Sequence, residues 1–430
     1  MIKVIATKQT NAVMGRGAVM LYREYLDHDG LTCRQTEAVS IESDYPPSST
    51  YRISENNGRT WGEWKELEKT DFSTVYGEDE RIAYPRFEVW NPHFSHYVAT
   101  GFSRYFIGGH EAAYRAFWEK GEKHYFDHQT LRLRRKGEQA PFSEHLIMYE
   151  DGEEFDPNNP RKREHLERNN GFINPPIVLK NGDVAVPVGV PIDVGCRIAG
   201  LDVNRVFPSC PKLHRCVIVA KGKYNADTER YDFTFSNPII LNDLRSSRGI
   251  DEPILAELES GRLLLLMRGS NVRVPSWNTR IEDGTPSFKW YAYSDDGGAT
   301  FTEAEPWRFD DREVIYSSAT ISAFQRSSKN GKLYWFGNIT SHNAYGNDPR
   351  YPLYVAQVDE ATGLLIKDTL TLIDTKREGE SDKLQLSNFK LMEDRESLHF
   401  ELSICKLCQY DPKFPYFAEG WTYDIDVEAT

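Results

Sequence analysis

Cysteine and histidine are scarce in this chain, and four of them crowd one stretch. Cys196, Cys210, His214 and Cys216 all fall in GCRIAGLDVNRVFPSCPKLHRC. Three thiolates and one imidazole are the donor set that tetrahedral zinc prefers. The stretch has little apolar content, so a structural Zn²⁺ would fold it, and four protein ligands would leave no open position for catalysis. Unliganded thiols and a disulfide are the alternatives. Cys405 and Cys408 are less suited to a shared role, because residues three apart on a strand point to opposite faces. Nothing in the sequence asks for an organic cofactor.

Arginine and histidine also cluster: Arg245 and Arg248 beside Asp251 and Glu252, then Arg268, Arg273 and Arg280, then His342, Tyr345 and Arg350. The chain as a whole is acidic, with 52 Lys and Arg against 65 Asp and Glu and a net charge of −13. A cationic patch on an acidic body suits an anionic ligand, most simply a carboxylate gripped by guanidinium forks. The competing reading pairs these arginines with acids of their own segments. No global basic footprint for nucleic acid is present.

The elements that must position these residues read as strands. Hydrophobic residues are 39% of the 430, low for a helical enzyme, yet aromatics reach 13%, which suits many short half-exposed strands. No apolar run is long enough for a transmembrane helix, so no membrane partner is expected. The opening MIKVIATKQTNAVMG lacks the apolar core of a signal peptide; a native Met1 implies the cytoplasm, a trimmed leader the periplasm or the exterior. Six cysteines in this length are no disulfide scaffold.

Repetition organises the chain. NNGFINPPIVLKNGDVAVPVGVP, GIDEPILAELESGRLLLLMRGS and SSATISAFQRSSKNGKLYWFGNIT share one grammar: polar loop, apolar strand, tight turn, apolar strand. The turns fall at Asn181-Gly182, Ser260-Gly261 and Asn330-Gly331, where hairpins need positive φ. Their glycines are 79 and 70 residues apart, room for two more strands per unit. A weaker copy starts at Leu386. Units end near Glu68, run from about Ala83 to Gly152, and start near Asn169, Gly249, Ser317 and Leu386, with the N-terminal strand completing the last sheet. A further unit could hide around Arg81–Phe126, where HEAAYRAFWEKGEKH also reads as a short helix.

Two octamers, Ser54 to Trp61 and Ser294 to Phe301, read S-x-(D/N)-x-G-x-T-aromatic. They resemble the Asp-box turns that join the third and fourth strands of a blade in sialidase-like β-propellers. The resemblance implies an all-β chain forming a single β-propeller domain over residues 1–430, with four-stranded blades, seven favoured and six the alternative. In such a ring the loops before the first strands and between the second and third strands face one mouth, where Arg248, Glu252, Arg268, Arg273, Tyr316, His342, Tyr345 and Arg350 would contact substrate.

EPILAELESGRLLLLMR resembles the sialidase blade whose Glu supports a tyrosine nucleophile and whose Arg grips a carboxylate, which carries over to Glu252 and Arg268. The family's opening Arg-Ile-Pro is missing, since Tyr51-Arg52-Ile53-Ser54 runs into an Asp box, and no Arg precedes the strand after Tyr316, where a third is expected. That incomplete triad argues against a sialidase. Ulvan lyases and rhamnose–glucuronate lyases share the scaffold, and similar zinc-clamped loops occur among them. They carry two histidines about twenty residues apart, then an arginine; the nearest match is His110 and His128 as base and acid, with Arg197 on the carboxylate. Phe172 stands where some of them place a tyrosine. The expected function is therefore a polysaccharide lyase cleaving an anionic, uronate-containing oligosaccharide or polysaccharide by β-elimination. A sialidase-like glycoside hydrolase and a non-catalytic sugar-binding propeller are the alternatives. Oligomeric state is not legible.

Overall fold

A computed structural model describes residues 2–41, 48–66, 73–83, 87–138, 140–148, 163–209, 214–273 and 279–428. The fold is all-β, and among the described residues the strands form six antiparallel sheets, the blades of a β-propeller. Six replaces the favoured seven. The reason lies in Arg81–Phe126: strands Asp79–Ala83 and Phe87–Asn91 both pair with the long strand His96–Phe106, so this stretch enlarges the second blade instead of making another. The helix His110–Lys120 links that strand to Tyr125–Arg135, as its sequence suggests. Among the described residues, no helix is long and apolar enough to cross a membrane.

The chain divides into two compact units. One joins Met1–Lys69 to Trp307–Thr430, and the other is the continuous segment Thr70–Pro306. In the first, strand Ile2–Thr10 pairs along Gly420–Val427 and completes the last sheet, as expected. Its apolar core gathers Phe336, Leu353, Phe400, Leu402, Tyr423 and Ile425.

In the second unit, strand Arg215–Asn225 is apolar on both faces because both are covered. Cys216, Ile218 and Ala220 pack with Leu131 and Val188, while Val217 and Val219 pack with Leu265 and Met267. The three tight turns form as read, with Gly182, Gly261 and Gly331 at φ 88°, 87° and 73°. Both octamers fold as the same turn. Ser54 Oγ accepts from the Gly58 amide at 2.8 Å and Asn56 from Thr60 at 2.9 Å; Ser294 and Asp296 repeat both bonds.

Candidate active site

The chemistry of the second unit concentrates where three strands begin or end. Arg104 sits near the end of its strand in the second blade, Arg215 opens a strand of the third, and Asp251 opens the fourth. A charge on an otherwise apolar strand must find a partner, and here the partners are one another. Arg104 donates from Nε to Asp127 Oδ1 at 2.6 Å and from Nη2 to Oδ2 at 3.1 Å. Arg215 donates from Nη2 to the same Oδ2 at 3.1 Å, and its Nε lies 3.3 Å from Asp251 Oδ2. Burial alone would push the Asp127 carboxyl up, but Arg104, Arg215 and Lys123 together hold it below the usual carboxylate range. Gly189 makes room for this ladder, since a Cβ there would lie 2.7 Å from Asp251 Oδ1.

Glu252 follows Asp251 on a bulge, with the left-handed φ of 47°. This backbone costs a non-glycine residue roughly 1–3 kcal/mol and interrupts the alternation of the strand. Arg268 Nη2 lies 2.9 Å from Glu252 Oε1, while Oε2 is buried without a hydrogen-bond partner among the described residues. Burial raises the Glu252 carboxyl above its ordinary value, Asp251 adds to the rise, and Arg268, Lys289 and Arg248 oppose it. Burial and the neighbouring Arg268 lower Arg248.

Around these groups, burial and the adjacent Arg215 push Lys123 down to about 7, and burial raises the Tyr125 phenol to about 12. Lys123, Arg104, Arg215, Arg248, Arg268 and Lys289 thus outnumber Asp127, Asp251, Glu252 and the bordering Asp193. This buried cluster therefore holds more basic than acidic side chains.

Of the residues expected from sequence, Arg248, Glu252 and Arg268 meet here. His110 and His128 are not brought together. His110 packs on Phe106 and Tyr114, and Tyr114 accepts from Arg104, which places it on the Asp127 side of the sheet. His128 is the next residue after Asp127, so alternation turns it to the opposite face, beside Tyr105, at 1% exposure. Arg197 is exposed on the last turn of helix Ile192–Ile198. Arg273 pairs with Asp283 at 3.3 Å, both exposed.

In the other unit, Tyr316 bridges to Thr340 and Tyr345 is 57% exposed. Arg350 Nη1 donates to Gln385 at 3.2 Å, and His342 lines a cleft of about 480 Å³ with Asp348 and Tyr351. Cys210 lies outside the described residues. Cys196, His214 and Cys216 are buried, but among the described residues no three His, Cys, Asp or Glu side chains are grouped to hold a metal, so these three do not make a zinc site by themselves. His214 is pushed down to about 3 by burial and Arg248.

Arg104, Asp127, Arg215, Lys123 and Lys289 went unread in the sequence. Their signal was available: each is a charge within or beside a strand of apolar and aromatic residues.

No family model matches the chain, and no curated protein matches it. Solved structures do. A protein of unknown function from Dyadobacter fermentans is 12% identical, with 98% of this chain and 99% of that one covered and a TM-score of 0.56. A variant of the NanB sialidase from Streptococcus pneumoniae is 9% identical over 97% of this chain and 70% of that one, at a TM-score of 0.55. The intramolecular trans-sialidase of Ruminococcus gnavus, solved with oseltamivir carboxylate, is 10% identical over 97% and 96%, at 0.51. At these identities the likeness is one of fold: this chain has the fold of the sialidase-like propellers.

Proposed function

We propose that the protein is an enzyme that cleaves glycosidic bonds in glycans bearing a carboxylate, with Glu252 as the carboxyl that transfers the proton. One observation carries this reading: a carboxyl with one oxygen held by Arg268 and the other buried without a hydrogen-bond partner among the described residues, raised above its ordinary value, in a cluster where basic side chains exceed acids. Glycoside hydrolysis uses two carboxyl groups in different states, one protonated to meet the leaving oxygen and one ionised. Glu252 suits the first role, and Asp251, ion-paired to Arg215, supplies the second. Arg248 and Arg268 suit the substrate carboxylate. The fold neighbours that are sialidases, one holding a carboxylate compound, support a sugar acid as substrate.

β-Elimination from a uronate is the second reading, favoured by Lys123, an amine near neutrality among the arginines. It no longer uses His110 and His128 together, because they lie on opposite faces of one sheet. Incubation with sialylated and uronate-containing glycans separates the readings. New reducing ends alone support hydrolysis, and absorbance rising at about 235 nm from an unsaturated uronate supports elimination. Glu252→Gln is expected to lower kcat/KM by about 10²–10⁴-fold, with the fold retained by circular dichroism. Full activity in that variant would remove Glu252 from the chemistry.

A further inference from the structure

Lys289 opens the strand Lys289–Ser294 and is 1% exposed. A buried ammonium needs a nearby anion or gives up its proton. Its place in the sheet supplies the anion. Across the fourth blade Asp251 stands opposite Arg268, and Arg268 opposite Lys289. Directly opposed residues share a face, so two cations are set side by side, a repulsive arrangement unless an acid lies between or beside them. Glu252 is that acid, brought 2.9 Å from Arg268 by the bulge and its left-handed backbone.

We propose that Lys289 is a positioning residue for Glu252, stabilising from within the sheet the carboxylate that remains when Glu252 gives its proton to the leaving oxygen. The proton passes from Glu252 to that oxygen, and Glu252 regains one from water. Lys289 is 1% exposed and acts through Glu252. The proposal rests on the reading of Glu252 as the proton-transferring carboxyl.

The electrostatics agree with the geometry. Burial raises Glu252; Arg268, Lys289 and Arg248 pull it down, and Asp251 pushes it up. Burial, with Arg268, pushes Lys289 down to about 7, and Glu252 opposes that fall. Each group therefore favours the charged form of the other.

The test follows the Glu252 carboxyl carbon by NMR in protein with labelled glutamate, its signal identified by loss in Glu252→Gln. In Lys289→Met the titration midpoint of Glu252 is expected to rise by about 1–2 pH units, and in Lys289→Arg to stay within about half a unit of wild type. Should Lys289→Met not fold, Lys289→Gln gives the same reading. With substrate, kcat is expected to fall about tenfold in Lys289→Met, with KM little changed and the alkaline limb of the profile moved upward. An unmoved Glu252 midpoint in the neutral variants overturns the proposal. The titration needs no substrate, so a wild-type protein that cleaves no glycan would refute the function while leaving the result for Lys289 intact.

Discussion

Asp127→Asn is the sharpest perturbation of the charge ladder. Asp127 is 1% exposed and accepts three charge-assisted hydrogen bonds, two from Arg104 at 2.6 and 3.1 Å and one from Arg215 at 3.1 Å. At roughly 1.5–3 kcal/mol each, three such bonds sum to about 5–9 kcal/mol. That sum overstates the loss. Arg215 keeps the Gly189 carbonyl at 3.0 Å and Asp251 at 3.3 Å, and the amide can still accept. Removing one partner of a buried ion pair costs about 3–5 kcal/mol, and that is the expected destabilisation in urea at pH 7. A pH signature accompanies it. The carboxyl is held low in the folded state, so its contribution is complete above the ordinary Asp value and disappears as pH falls through the folded one. Acid unfolding of Asp127→Asn should accordingly be shallower than that of wild type. Arg104→Met combined with Asp127→Leu removes the charges together and should recover part of the loss. A single variant within about 0.5 kcal/mol of wild type at pH 7 would show that these bonds exchange with water at little cost.

Two further outcomes follow from particular residues. Gly189→Ala drives a methyl to 2.7 Å from Asp251 Oδ1 and 3.5 Å from Arg215 Cδ; a loss of about 1–3 kcal/mol is expected, with a lower kcat/KM, measured by urea unfolding and by the reducing-end assay. An unchanged pair of values would mean that the ladder shifts freely. His145 is 6% exposed, its ring nitrogens have no hydrogen-bond partner among the described residues, and burial pushes it down to about 4. A histidine held neutral gives stability that is complete above its ordinary value near 6.5 and is lost as pH falls toward about 4. His145→Phe should thus flatten the stability curve over that window, and an identical slope would count against the buried neutral ring.

The blades were legible because their signals are local. Asn181-Gly182, Ser260-Gly261, Asn330-Gly331 and the two serine-led octamers specify turns without knowledge of the rest of the chain. Blade number was less legible, because Asp79–Ala83 and Phe87–Asn91 both look like new strands and only pairing shows that they share one neighbour. The buried charge cluster of the candidate site was only partly legible. Glu252 and Arg268 stand in a recognisable string, whereas Arg104 and Asp127 of the second blade and Arg215 of the third have meaning only once brought together. The histidine pair failed for a different reason: spacing along the chain cannot show that residues 127 and 128 face opposite ways until the strand is placed.

The order in which a ribosome delivers this chain gives the two units different prospects. Thr70–Pro306 is continuous and contains the whole Arg104-to-Lys289 cluster. Domains generally fold as units during synthesis, so this segment can assemble its chemistry early. The other unit waits, because the partner of its first strand, Gly420–Val427, is made only after the whole of Thr70–Pro306. Until then Ile2–Thr10 presents an unpaired edge, open to pairing with other chains. A truncation that removes Gly420–Val427 should therefore spare the inserted segment and send the rest toward aggregation.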